Sequence, residues 1–314
     1  MCPKSGVEHQ AAERSSASQS GQGESNKRLV PLALVIAVIA VSFAAIFFRK
    51  AQPTHPLVSA GIRLVAAAMM LAPVTIRAWL QGRLPRPVLA SGALAGLLYG
   101  VHFGAWVWAL ELTTVAAAVT LVTATPVMLA AVALVTGTDR PDRRIWLALG
   151  LSAIGMVMIG GWDFGRSTDA LVGDLLALLG AAGMAAYLLV VRRLGPSLDA
   201  FAFSGVATAV GGVFLLCTAA CLDLPIEAAS DEALVYLVLA ALLPQIVGHG
   251  LLTWAVRLAT PVAVAVATVG EPVGATLLGW LWLGEAVTAP IALGCAVTLG
   301  GVLLATWQPS SETV

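Results

Sequence analysis

The chain has 314 residues, of which 59% are hydrophobic and 11% charged, and its mean hydropathy is +0.92. Soluble domains carry about 25% charged residues, so this composition excludes an ordinary globular protein and indicates one that crosses a membrane many times. Basic and acidic residues number 17 each, which gives no basic field of the kind that attracts nucleic acid. The cysteines show no spacing typical of a disulfide or zinc framework.

The polar stretch 1–28 is rich in serine, glutamine, glycine and glutamate, so we predict a disordered tail rather than a signal peptide. From residue 29 the chain divides into ten apolar segments, each close to the roughly 20 residues that span a hydrocarbon core. A short tail, 307–314, follows them. The sequence therefore predicts an all-α integral membrane protein with ten transmembrane helices. These are 29–48, 57–76, 88–109, 113–135, 145–161, 173–191, 200–220, 233–255, 260–283 and 287–306.

The arginines and lysines between these segments are distributed unevenly. With the N-terminus inside the cell, thirteen of the 17 lie on the inner side, and the outer connection 221–232 has acidic residues but no basic one. Cytoplasmic loops of membrane proteins carry such an excess of positive residues. We therefore predict that both tails are cytoplasmic. We also expect the membrane to be the cytoplasmic membrane of a bacterium.

Arg63 lies about seven residues inside the second span. A charge at that depth is costly and is usually functional. Its long side chain can extend to the surface, pair with an acidic group such as Glu271, or bind a carboxylate of a substrate. The sequence leaves a structural or gating role and direct substrate contact open.

The third span carries two opposite stripes. Tyr99 and Trp106 lie three residues before and four residues after His102, so the three side chains share one helix face. Small residues let another helix approach closely, and glycine repeats every four residues on the other face. We predict that this face packs and that the histidine face borders a cavity. The glycines are Gly92, Gly96, Gly100 and Gly104.

The eighth span holds a second histidine, His249, with Gln245 on the same face. A neutral histidine donates and accepts hydrogen bonds and titrates near neutral pH, so both histidines either line a solute pathway or join helices by hydrogen bonds. They lie in different spans without a local group of ligands, so we predict no metal site.

Tryptophans cluster near the predicted outer ends of the third and ninth spans. They predict an interfacial aromatic belt, with Trp106 alternatively forming an aromatic wall for substrate. The four are Trp106, Trp108, Trp280 and Trp282.

The ninth span contains a carboxylate, Glu271, followed directly by Pro272, about eleven residues from the start of the span. Proline removes a backbone donor and breaks the helix, and irregular backbone at membrane depth is tolerated only against protein or a water-lined cavity. We predict that Glu271 lines a cavity and exchanges a proton, or else that it is a structural glutamate near the helix break. The fourth span has the matching break at Pro126, 146 residues earlier.

Repetition at an offset of 143 to 146 residues extends beyond this proline pair. Trp108 and Ala109 recur as Trp254 and Ala255, and Asp139 falls on Glu285. Five spans per copy is an odd number, so the second copy enters the membrane from the opposite side. Inverted copies of this kind rock around a site held at their interface, which is a property of transporters.

The motifs VTLVTATPVMLAA and EPVGATLLGWLWLGEAVT, with Arg63 inside the second span, resemble the EamA family of the drug/metabolite transporter superfamily. The resemblance implies two inverted five-helix EamA repeats, 29–161 and 173–306. It also implies a secondary transporter, most often an exporter of amino acids or other small metabolites. It does not identify the substrate.

Three functional classes remain: a transporter, an intramembrane enzyme and a non-transporting scaffold. The chain has neither a GxSxG turn nor an HExxH helix, and no GxxxxGK loop for a nucleotide. We therefore predict a transporter that is not an enzyme, uses no cofactor and works on a small molecule in a lipid bilayer. Its oligomeric state is open.

Overall fold

The computed structural model describes residues 29–113, 115–160, 167–284 and 287–306, and every regular element within these ranges is a helix. The predicted tails 1–28 and 307–314 lie outside the described residues. The helices of the first half are α1 Leu29–Lys50, α2 Pro56–Leu80, α3 Arg86–Leu112, α4 Val115–Val122, α5 Thr125–Thr136 and α6 Arg143–Gly160. Those of the second half are α7 Thr168–Leu194, α8 Ala200–Cys221, α9 Asp231–Val256, α10 Pro261–Thr268, α11 Glu271–Leu283 and α12 Ala289–Thr306.

The all-helical class is confirmed, and helix lies within each of the ten predicted spans. By length and composition, seven of the described helices can cross a membrane, with α10 and α11 counted together as one. Shorter apolar helices cover Thr125–Thr136 and Ala289–Ala305. The number of crossings therefore stays a prediction for the fourth, fifth and tenth spans.

Large apolar side chains cover the outer surface of the bundle. On α1, Leu32, Val35 and Ile39 are 58%, 56% and 59% exposed. A soluble protein rarely shows contiguous apolar surface of this extent, whereas lipid chains solvate it without cost. This surface is what a multi-pass membrane protein presents to the bilayer.

Helix starts follow local sequence. Ser167, Ser230 and Thr260 precede α7, α9 and α10, and each side-chain oxygen accepts a hydrogen bond from a backbone N–H of the first turn. Such caps satisfy donors that the helix itself leaves free. At the other ends, Gly137 and Gly284 close α5 and α11 with positive φ angles of 73° and 69°, where only glycine is unstrained.

The internal repeat extends to the helix boundaries. Moved by 146 residues, α4 covers the range of α10, α5 covers α11 to within one residue, and α6 covers α12. The packing repeats as well: α3 lies on α7 as α9 lies on α1, and α5 lies on α7 as α11 lies on α1. These contacts are thus kept when the halves are exchanged.

Equivalent helices from the two halves pair along their length. Helix α2 packs along α8, with Gly61 against Leu216 near one end and Gly205 against Thr75 near the other, so the two helices run antiparallel. Helices α6 and α12 are antiparallel too, because Gly155 lies against Thr298 whereas Gly301 lies against Ser152. Two equivalent helices that run in opposite directions are what an inverted duplication requires.

The glycine stripe of α3 packs against α8, as predicted. A methyl group added at Gly96 would approach the backbone oxygen of Ala207 to 2.7 Å, and one at Gly100 would approach the ring of Phe214 even more closely. The absent side chains therefore let the two helix backbones touch. We call this contact the glycine seam, formed by Gly92, Gly96, Gly100 and Gly104 of α3 against α8.

Helix α9 contains a feature that the sequence analysis missed. Its middle third, Ala241–His249, is a π-helix that includes Pro244. Proline lacks the N–H that an α-helix needs at this place, and the wider turn accommodates the lost hydrogen bond. The π-helix sets the direction of Gln245 and His249, the two polar residues predicted for this span.

Candidate functional site

A cavity of about 50 Å³ lies between the two halves, with room for a few water molecules. Both halves contribute charged and polar groups, and apolar side chains form most of the remaining wall. The lining residues are Ala44, Arg63, His102, Phe103, Trp106, Val122, Thr123, Thr125, Met184, Leu188, His249, Leu252, Val264, Thr268 and Glu271. Five of the residues predicted from sequence therefore meet in one place, although they come from four different spans.

Glu271 enters the cavity at a helix break. Helix α10 ends at Thr268 and α11 begins at Glu271, with Val269 and Gly270 forming the turn between them. Pro272 stands in the first turn of α11, where its missing N–H costs nothing. The break thus lies two residues before the proline, and it holds the carboxylate at a helix N-terminus, where negative charge is favoured.

The first half has the same helix break, but a different residue occupies the position of Glu271. Helix α4 ends at Val122 and α5 begins at Thr125, with Pro126 next. Thr125 occupies the position equivalent to Glu271, and its hydroxyl donates to the backbone oxygens of Val122 at 3.0 Å and Ala181 at 3.2 Å. The halves therefore share a backbone design, but only the second carries a carboxylate.

Arg63 is fully buried, with 0% of its surface exposed. The possibility that it extends to the membrane surface is therefore wrong. Its guanidinium carbon lies 4.4 Å from the ring centre of Phe103 and 5.5 Å from that of Phe48, within range of cation–π attraction. All three of its nitrogens are buried without a hydrogen-bond partner, so the attraction of Glu271 acts across space and not through a direct ion pair.

The two histidines face the cavity from opposite halves, with ring centres 6.4 Å apart. Nδ1 of His102 lies 2.8 Å from the backbone oxygen of Gly180. A carbonyl oxygen only accepts, so this nitrogen carries the hydrogen and Nε2 is left as an acceptor. His249 packs edge-on against Phe103, with ring centres 5.1 Å apart. Within the described ranges no three His, Cys, Asp or Glu side chains gather in a way that could hold a metal ion.

The structure corrects the prediction that Trp106 belongs to an interfacial aromatic belt. It is 4% exposed, and its ring lies parallel to that of His102 and edge-on to that of Phe48, 5.9 Å away. Its indole N–H is buried without a partner. The alternative of an aromatic cavity wall describes its position, whereas Trp280 and Trp282, each 51% exposed, lie at the surface as a belt requires.

Tyr99 and Gln245 are buried but do not line the cavity. Tyr99 stacks on Tyr187 with ring centres 3.9 Å apart, and the hydroxyl of Tyr187 shares a 2.7 Å hydrogen bond with Thr253. Gln245 lies in the π-helix, and its side-chain oxygen is buried without a hydrogen bond. The sequence placed both on the histidine stripes and gave no indication of Tyr187.

The two ends of the bundle differ. At one end, which we call the arginine-rich end, Arg192 of the second half binds Asp139 of the first through two hydrogen bonds of 2.9 and 3.0 Å. Arg83 pairs with Asp199 at the same end, and Arg257 donates to the backbone of Pro196 and Leu198. Burial lowers the pKa of Arg257, and the Asp199 carboxylate offsets part of this change.

At the opposite end, the backbone N–H of Ala229 donates to Thr54, which ties together the connections 51–55 and 222–230. A recess of about 520 Å³ opens here, and Phe48 stands both in its wall and beside Arg63. Phe48 thus lies next to both the recess and the Arg63 side chain of the cavity, whereas charged pairs join the halves at the arginine-rich end.

A duplicated helical bundle with a lipid-facing surface, and with a cavity between its halves that holds charged and polar groups, defines a multi-pass membrane protein. The model of the EamA-like transporter family matches residues 28–161 and 171–307. The chain therefore belongs to this family, as two repeats, and is a membrane transporter of the drug/metabolite transporter superfamily.

The fold is also that of a solved crystal structure. The two chains are 19% identical and superpose with a TM-score of 0.70, over 88% of this chain and 97% of the other. A likeness at this level of identity concerns the fold alone. No curated protein matches the chain significantly.

Proposed function

We propose that the protein is a secondary active transporter that exports a small metabolite, such as an amino acid, across the cytoplasmic membrane by alternating access. The observation that carries this proposal is the cavity, because both repeats contribute to it and both break their helices at its wall. Exchange-symmetric halves can close one end of such a cavity while opening the other. The hydrogen bonds between Arg192 and Asp139 support a state in which the arginine-rich end is closed.

We propose that the arginine-rich end faces the cytoplasm, with both tails on that side. Positive residues favour the cytoplasmic side of a membrane. The start of α1 and the end of α12 both lie at the arginine-rich end, so the two tails leave the bundle there. Labelling of a cysteine at Lys27 and another at Gln52, which is exposed in the connection 51–55, tests this orientation in intact cells. Reaction only at position 52 supports it, and reaction at position 27 contradicts it.

The proton gradient is the proposed driving force, with Glu271 as the group that takes up and releases the proton. A charge crossing 100 mV gains about 2.3 kcal/mol, which is enough to concentrate a metabolite considerably. His102 and His249 are the proposed polar contacts for the solute, since both face the cavity. Alanine variants of these two histidines that kept wild-type affinity would remove them from the site.

Counterflow in proteoliposomes tests the function directly, after a metabolite screen of cells with and without the protein has supplied the solute. Saturable exchange of labelled for unlabelled solute supports a carrier. Chemical conversion of the solute would indicate an intramembrane enzyme, and neither exchange nor conversion would indicate a scaffold.

A further inference from the structure

The surroundings of Arg63 are unusual for a buried cation. Its side chain is completely enclosed, and Nε, Nη1 and Nη2 all lack a hydrogen-bond partner. A buried charge that is neither paired nor hydrogen-bonded opposes folding, because it has given up its water without replacement. The cavity beside it is where a partner for these nitrogens can bind.

We infer that Arg63 binds a carboxylate of the transported solute, an inference that rests on the proposed transport function. The rings of Phe103 and Phe48 occupy two directions around the guanidinium and accept no strong hydrogen bond. Its N–H groups are therefore free for an anion in the cavity. A planar carboxylate matches the fork of an arginine through two parallel hydrogen bonds.

The charges around the cavity select a monoanion. Arg63 is the one cation among the lining residues, and Glu271 is the one acid. A phosphate dianion would face this acid with only a single arginine to balance it, whereas a carboxylate neutralises Arg63 and leaves Glu271 to hold a proton or a cationic group of the same solute. The rest of the wall is largely apolar, with Leu188, Leu252 and Val264 in contact with the space. The solute class is a small monocarboxylate with an apolar remainder.

Thermal unfolding of the purified full-length protein in detergent tests this assignment. The probes are the twenty standard amino acids, their amides, the matching carboxylic acids without the amino group, and inorganic phosphate. We expect every compound that raises the melting temperature to carry a carboxylate, and its amide to have no effect. An amide or phosphate that stabilises as well as the acid would overturn the inference, as would a complete lack of response to the carboxylates.

The variant Arg63→Met separates ligand binding from structure. Methionine fills a similar apolar volume, so the ligand-free melting temperature should equal or exceed that of the wild type, since an uncompensated charge is removed. Carboxylate binding should weaken at least tenfold, as expected for the loss of a charged hydrogen bond. A lower melting temperature with unchanged affinity would show that Arg63 is structural.

Arg77→Met is the matched control, because Arg77 lies on the same helix but is exposed. It should retain the full response to carboxylates. The variant Arg63→Lys, which keeps the charge but not the fork, should bind with intermediate affinity. If counterflow instead identified a solute without a carboxylate, the transport proposal would stand and this inference would fail.

Discussion

The two faces of α3 differ in packing and in hydrogen bonding, although both belong to one helix. On the glycine seam the backbones of α3 and α8 touch, and a methyl group at Gly96 would lie 2.6 Å from a side-chain carbon of Val210. On the other face, His102 and Trp106 border open space, and the indole N–H has no partner. The seam is filled to its limit, whereas the cavity leaves polar groups unsatisfied.

This contrast shows how the fold tolerates its cavity. Tight contact between helices is the main source of stability in a bilayer, where burial of apolar surface adds little. Unsatisfied groups such as Arg63 oppose folding, so they need a rigid neighbour that does not depend on them. The seam lies one helix thickness away from the cavity and can supply this support. Substitutions at the two places should therefore act on different properties.

The largest effect on stability is expected at the seam. Gly96→Ala places a methyl group against the backbone of Ala207, which cannot move aside, so overpacking should cost about 1–3 kcal/mol. The melting temperature in detergent measures this loss. Gly150→Ala on α6 is the control, because no atom lies within 4 Å of the added methyl group and alanine is favoured in helices by up to about 1 kcal/mol. Equal melting temperatures for the two variants would contradict the tight packing of the glycine seam.

At the cavity, Glu271→Gln should change transport and leave folding intact. The glutamine amide has nearly the same shape but cannot release a proton, so the variant is fixed in the equivalent of the protonated state. We expect counterflow to become independent of pH between about pH 5 and 8 and proton-driven export to be lost, whereas transport by the wild type should vary several-fold over this range. Export by the variant that still follows pH would exclude Glu271 as the coupling group.

A smaller effect is expected from Trp106→Phe. The substitution keeps an aromatic ring beside His102 and removes an N–H that has no partner, so stability should change by less than about 1.5 kcal/mol. Solute affinity should change a few-fold, because the ring lines the cavity. Trp280→Phe, at a surface position, should leave affinity unchanged. The same affinity in both variants would place Trp106 outside the solute path.

The smallest change in stability is expected at the arginine-rich end. The side chains of Asp139 and Arg192 are each 31% exposed, and such pairs contribute about 0–1 kcal/mol. Asp139→Asn should therefore fold normally but should expose a cysteine placed at Val262 to an impermeant maleimide more often. Reversing the pair, with Asp139→Arg and Arg192→Asp together, should restore protection. Unchanged labelling would mean that the pair does not hold this end closed.

The periodic features of the fold were predictable from sequence. The glycine stripe of α3 identified its packing face, and the proline pair at positions 126 and 272 identified both helix breaks, because each depends on spacing along one chain. The family and its two repeats followed from the same motifs. Hydropathy gave the spans, but the sequence could not show how the short helices around each break cross the membrane.

The features that the sequence did not predict depend on contacts between distant segments. The depth of Trp106 is set by Phe48 of α1 and not by its own position near a helix end. The isolation of Arg63 needs the coordinates of both aromatic rings around it. Phe103, Tyr187 and the π-helix of α9 carried no periodic signal. Thr125 did carry one, since it is the counterpart of Glu271 at the offset of 146 residues, and a comparison of the two breaks position by position would have found it.

The central claim is that the cavity between the halves is reached from each side of the membrane in turn. A single cysteine at Thr268, in a chain whose other cysteines are replaced by serine, tests it in oriented membrane vesicles with an impermeant maleimide. We predict labelling from both sides, and none at the lipid-facing control Val213→Cys, whose native side chain is 57% exposed on the bundle surface. Labelling of position 268 from one side only, or from neither, would contradict the account.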